Sequence, residues 1–128
     1  MIGQWDPSAT TTSNQPETKT LLLLAQHSAE PTKVDDETLQ RAILWIKSPA
    51  TQWEKAFADI SDDALLQLSF FYVRAEMKLS GFEAGASSPA IYVFRYLKSQ
   101  GRKPSKDIVK ALKAETDNRF IPHGDVLS

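Results

Sequence analysis

Ser61-Asp62-Asp63-Ala64-Leu65-Leu66-Gln67-Leu68-Ser69-Phe70-Phe71-Tyr72-Val73-Arg74-Ala75-Glu76-Met77-Lys78-Leu79-Ser80-Gly81 is the stretch that decides the fold of this 128-residue chain. A serine followed by two aspartates is helix-start chemistry: the hydroxyl accepts from a free backbone N–H, and the carboxylates sit against the positive end of the helix dipole. Leu65, Leu66, Leu68, Phe70, Phe71, Tyr72, Val73, Met77 and Leu79 then cover most of a helix circumference. A helix apolar on nearly all sides is buried on nearly all sides. The stretch therefore predicts a central helix over about 62–79, closed by Gly81 in the left-handed conformation.

Working outward toward the N-terminus, Ser48-Pro49 matches an N-cap followed by proline at the first helical position, with Trp53, Ala56, Phe57 and Ile60 as the buried stripe. Before it, Asp35-Asp36-Glu37 opens a helix running to about Lys47, with Leu39, Ala42, Ile43 and Ile46 on one face. Residues 17–28 contain four consecutive leucines. A helix capped by Thr18 or Thr20 is preferred there, and a buried strand also fits so short a run. Residues 1–16 are rich in Ser, Thr, Asn, Gln and Pro, with Ile2 and Trp5 as the exceptions. They cannot bury enough surface to offset ordering entropy and are expected to form a disordered tail.

Toward the C-terminus, Ser88-Pro89 repeats the serine-proline start and leads a helix to about Gln100, which Gly101 ends. Pro104-Ser105 opens a last helix to about Glu115, with Ile108, Val109 and Leu112 inward. From about residue 117 the chain is irregular. The expectation is one all-α domain over residues 17–128, five or six short helices around the central one. A length of 128 residues suits a single core.

Charge is segregated along this chain. Residues 1–87 carry seven Lys/Arg against twelve Asp/Glu, a balance of −5, whereas residues 88–128 carry eight against four, a balance of +4. The positive excess is organised. Lys106, Lys110 and Lys113 fall at i, i+4 and i+7 on the last helix, with Lys103 just before it, and Arg95, Lys98 and Arg102 are similarly spaced around the preceding one. Such cations attract a polyanion by releasing its counterions. Tyr92 and Tyr96 share a helix with Arg95 and Lys98, and aromatic rings beside cations stack on single-stranded bases. Arg119 completes the candidate nucleic-acid-binding set. A solvated lysine face, or pairing with the acidic half of the domain, accounts for the same pattern structurally.

Other chemistries leave no signature. Without cysteine there is no disulfide framework, thiolate metal site or thiol catalysis, and a reducing, cytoplasmic compartment is expected. His27 and His123 lack a second histidine at i+3 or i+4, and Glu30, at i+3 from His27, falls in the Glu30-Pro31-Thr32 breaker, so no metal or other cofactor is expected. The loop from Gly81 to Ser88 has Ala86 where a phosphate-binding loop needs lysine after its second glycine. No Gly-x-Ser-x-Gly elbow marks a nucleophile, and Asp62, Asp63 and Glu76 fit capping and surface roles. A helix-turn-helix at residues 89–115 is disfavoured, because its connection is long and no further helix or wing follows. Leu21 to Ala25, the only dense aliphatic run, is too short to span a membrane or to serve as a signal core.

The C-terminal stretch Thr116-Asp117-Asn118-Arg119-Phe120-Ile121-Pro122-His123-Gly124 mixes turn formers, a base, an aromatic and proline. It reads as a segment folded back on the core through Phe120 and Ile121, or as a recognition peptide shown to a partner. The function expected is a non-enzymatic accessory protein that contacts nucleic-acid backbone, alone or within a nucleoprotein complex. The competing expectation is a protein-binding adaptor or inhibitor using its acidic half, or head-to-tail self-association. An enzyme is the least supported class.

Overall fold

Helix-start chemistry recurs at the head of most elements in the computed structural model, which describes residues 15–122. The expected tail, up to residue 14, and His123 lie outside the described residues. Among the described residues six α-helices form: α1 Thr18–Gln26, α2 Asp36–Trp45, α3 Ala50–Phe57, α4 Asp62–Lys78, α5 Pro89–Ser99 and α6 Lys106–Lys113. Two 3-10 turns, Pro31–Lys33 and Gly85–Ser87, complete the order, and no strand occurs among the described residues.

Side-chain caps hold four helix starts. Asp35 accepts from the Thr38 amide, Ser61 from Ala64, Ser88 from Ala90 and Ser105 from Ile108. The Thr38 hydroxyl also donates to Asp35, and these two bonds hold its carboxyl below the usual carboxylate range. Two expected caps differ. Ser48 does not cap α3: Pro49 occupies the N-cap position with no side-chain cap bond, and the Ser48 amide donates to the Trp45 carbonyl at 2.9 Å in the turn that follows α2. At α1 the cap is Glu17, with no side-chain bond. Thr18 instead donates to the Ala56 carbonyl of α3, and Thr20 donates to Glu17. The helix–strand ambiguity of residues 17–28 resolves as a helix.

α4 is the axis of the molecule. It packs against α1, α5, α6 and the first 3-10 turn, while α3 packs on α5. Leu65, Leu68, Phe71, Tyr72, Val73 and Ala75 are buried along it. Each large side chain so buried contributes on the order of 1.5–3 kcal/mol, more than any single cap. The encirclement is incomplete at one end, where Met77 is 48% exposed. α2 is tied in by the buried Tyr72 hydroxyl, which donates to the Ala42 carbonyl at 3.0 Å, and by Trp45, fully buried beside the predicted face of Leu39, Ala42 and Ile46.

An aromatic cluster fills the centre. Trp53 meets Phe57, Tyr72 and Tyr92, and Tyr72 meets Phe71 and Phe82. Edge contacts such as Trp53–Tyr72, at 88° and 5.8 Å between centroids, have the favoured quadrupole geometry.

Candidate nucleic-acid interface

Lys106, Lys110 and Lys113 project from the exposed face of α6, opposite buried Leu112 and half-buried Ile108 and Val109. The rise of an α-helix spreads them over about 10 Å along the axis. Lys103, in the connection before α6, and Lys98, on α5, are exposed as well. None of these five lysines forms an ion pair with a described residue. Arg119 is also exposed and outside the described ion pairs. Arg95 is exposed on α5.

Arg102 stands apart. Its Nε donates to Asp62 at 2.8 Å, tying the α5–α6 connection to the first turn of α4. Pairing with the acidic half therefore accounts for Arg102 and not for the lysines around it. A second bond across the charge divide runs the other way: Arg74 of α4 donates to Glu115, just past α6, at 2.9 Å. The same guanidinium donates to the Ser28 carbonyl and lies 4.9 Å from the Phe70 ring centroid. Arg74 thus clamps the C-terminal end of α6 to the axis. Leu112 anchors the last turn of α6, and the polar face is left to solvent.

The two basic helices do not form a tight hairpin. Each packs on α4, with at most marginal contact between them. Tyr92 lies 6.4 Å from Trp53 in a stacked arrangement, and Tyr96 meets Phe57 edge-on at 5.6 Å. Both rings are half-buried, each with a surface already engaged by the core.

A feature that charge patterning alone does not reveal lies at the other end of α4. The loop after Gly81 and the C-terminal segment converge on Glu76. One Glu76 carboxylate oxygen accepts from the Ala84 and Gly85 amides, and both oxygens lie within reach of the Asn118 side-chain N–H. Asn118 donates further to the Gly85 carbonyl and accepts from the Phe120 amide, while its own amide donates to Thr116. Ile121 and Pro122 are buried and Phe120 is half-buried. The segment is folded back on the core, as one of its two sequence readings held, and Glu76 is the residue that holds it.

Between these parts opens a shallow cleft of about 500 Å³, lined by Glu76, Met77, Gly85, Asp117, Arg119 and Phe120 among others. That volume is within the range of small-ligand pockets. Its walls are mostly apolar. No family model, no curated protein and no solved structure matches this chain. Its chemistry is read from its own residues. Among the described residues no His, Asp or Glu group has the arrangement of a metal site, and no helix is long and apolar enough to cross a membrane.

Proposed function

We propose that the protein is a non-enzymatic accessory protein that contacts nucleic-acid backbone, alone or within a nucleoprotein complex. The lysine face of α6 is the centre of the interface. The observation that carries this reading is the set Lys103, Lys106, Lys110 and Lys113, exposed on and just before one short helix with no described carboxylate paired to them. Elsewhere carboxylates are matched locally, Glu30 with Lys33 and Glu37 with Arg41. Lys98 and Arg119 extend the field on either side, with Arg95 on α5 and Arg102, through its Asp62 pair, at the rim. Tyr92 and Tyr96 have exposed edges for a secondary contact. The lack of cysteine supports a reducing, cytoplasmic setting.

Phosphate contacts of this kind bind without sequence preference and are salt-dependent. Titrating labelled DNA and RNA at several salt concentrations tests the proposal. Lys106→Glu with Lys110→Glu is expected to weaken binding to all sequences alike and to lower the slope of log affinity against log salt by about two, close to one for each contact removed. Absence of DNA and RNA binding at low salt removes the proposal.

A further inference from the structure

The cleft beside Glu76 differs in character from the lysine face, yet the chain joins them: α6 ends at Lys113 and residues 116–120 form one wall of the cleft. Phe120 and Met77 supply apolar wall. Met77 is half-exposed on a helix whose other large apolar side chains are buried or partly buried, and Phe120 makes no ring–ring contact with a described residue. Arg119, adjacent to that ring, is exposed and forms no ion pair with a described residue. By contrast, Tyr92 and Tyr96 are already committed to Trp53 and Phe57.

We infer that this cleft receives an unpaired nucleobase, so that the preferred ligand of the proposed interface is single-stranded nucleic acid. The inference rests on the backbone-contact reading and adds to it the site where a base is held. Glu76 and Asp117 outnumber Arg119 among the charged groups that line the cleft, and its walls are mostly apolar, which disfavours a phosphate there and admits a neutral ring. The α6 lysines and Arg119 then take the phosphates on either side. A duplex keeps its bases stacked and paired, and so cannot offer one to a recess formed by Phe120 and Met77 without unstacking it. Single strands are recognised where free bases meet aromatic side chains and arginine planes beside a cationic track.

The wall is held in place before any ligand arrives. Asn118 is bonded to Glu76, Gly85, Thr116 and Phe120, so the turn carrying Arg119 and Phe120 is already ordered. Ordering a loop on binding costs free energy that this arrangement avoids.

Fluorescence anisotropy with labelled single-stranded oligonucleotides, and with blunt-ended two-strand duplexes of equal length, tests the inference on the full chain. Single strands are expected to bind at least about tenfold more tightly than duplexes. Replacing Phe120 removes a stacking partner, for which losses of about fivefold to a hundredfold are expected on the single strand and none on the duplex. Phe120→Leu keeps apolar volume at the half-buried position, Phe120→Trp should restore binding, and circular dichroism checks that each variant is folded. Equal affinity for both nucleic-acid forms, or unchanged single-strand affinity in folded Phe120→Leu, overturns the inference. Should binding then still depend on Lys106 and Lys110, the backbone-contact reading stands without it; should no nucleic acid bind at low salt, both fall together.

Discussion

Two glycines of the same loop make different demands on the backbone. Gly81 has φ of +94°, and a Cβ placed on it would lie 2.9 Å from the Ile43 Cδ1 methyl. Gly85, at φ +55°, has open space around that position. Gly85→Ala is therefore expected to cost only the left-handed penalty, about 1–2 kcal/mol. Gly81→Ala sits further from the left-handed well and should cost more, up to about 3 kcal/mol, whereas the Ile43 Cδ1 methyl, the end of a flexible half-buried side chain, moves aside at little cost. Thermal unfolding of the two variants side by side checks the difference. Tyr72 gives a second residue-level expectation. Burial raises its phenol well above the ordinary value near 10, so the native state keeps the proton after the unfolded chain has released it. The stability from this group is intact below pH about 10 and falls as pH rises beyond it. Urea unfolding of the native chain and of Tyr72→Phe should show a shallower alkaline decline in the variant, which also loses about 1 kcal/mol at neutral pH with its bond to Ala42.

Among the elements, helices were legible in the sequence wherever caps and periodicity agreed. Ser61, Ser88 and Ser105 cap the helices expected of them, and the apolar girdle of 62–79 marks the axis. Local rules failed in two ways. The start of α3 slips one residue, so Pro49 takes the N-cap position expected of Ser48, and Thr18 reaches the distant Ala56 carbonyl in place of its own helix end. The convergence on Glu76 was hidden for the same reason: Asn118 lies 42 residues away, and no local pattern records that meeting. Both segments had stood out as irregular, which was the only trace of it. The clip has a measurable consequence. Asn118→Ala removes the bonds to Glu76, Gly85 and Phe120 and should destabilise the fold by about 1–3 kcal/mol. Trypsin cleavage after Arg119 under native conditions should accelerate, since the turn is no longer held. An unchanged cleavage rate would mean that Ile121 and Pro122 hold the segment by burial alone.

Across the whole molecule, the charge asymmetry separates into paired and unpaired parts. Asp62–Arg102 and Arg74–Glu115 link the acidic and basic portions, and both act as ties between elements. Such partly exposed pairs contribute little to stability, about 0–1 kcal/mol each. The α6 lysines lie outside these ties and are exposed, and on the proposed reading their charge meets something beyond the chain. A second copy is one such object, because the acidic start of α2 on one molecule has the sign to meet α6 on another. That docking is opposed by the local matching of Glu37 with Arg41 and by the bond of Asp35 to Thr38, which occupy the groups it would need. Electrostatic association without buried apolar surface should also vanish as salt shortens its range. Sedimentation at about 0.01 M salt, where the screening length is about 30 Å, and at about 0.15 M, where it is about 8 Å, distinguishes the cases. One monomer mass at both is expected, with nucleic acid, when present, raising the mass at low salt only. Association at low salt without nucleic acid would instead pair the two halves of neighbouring chains, and the lysine face would then be half of a protein–protein contact.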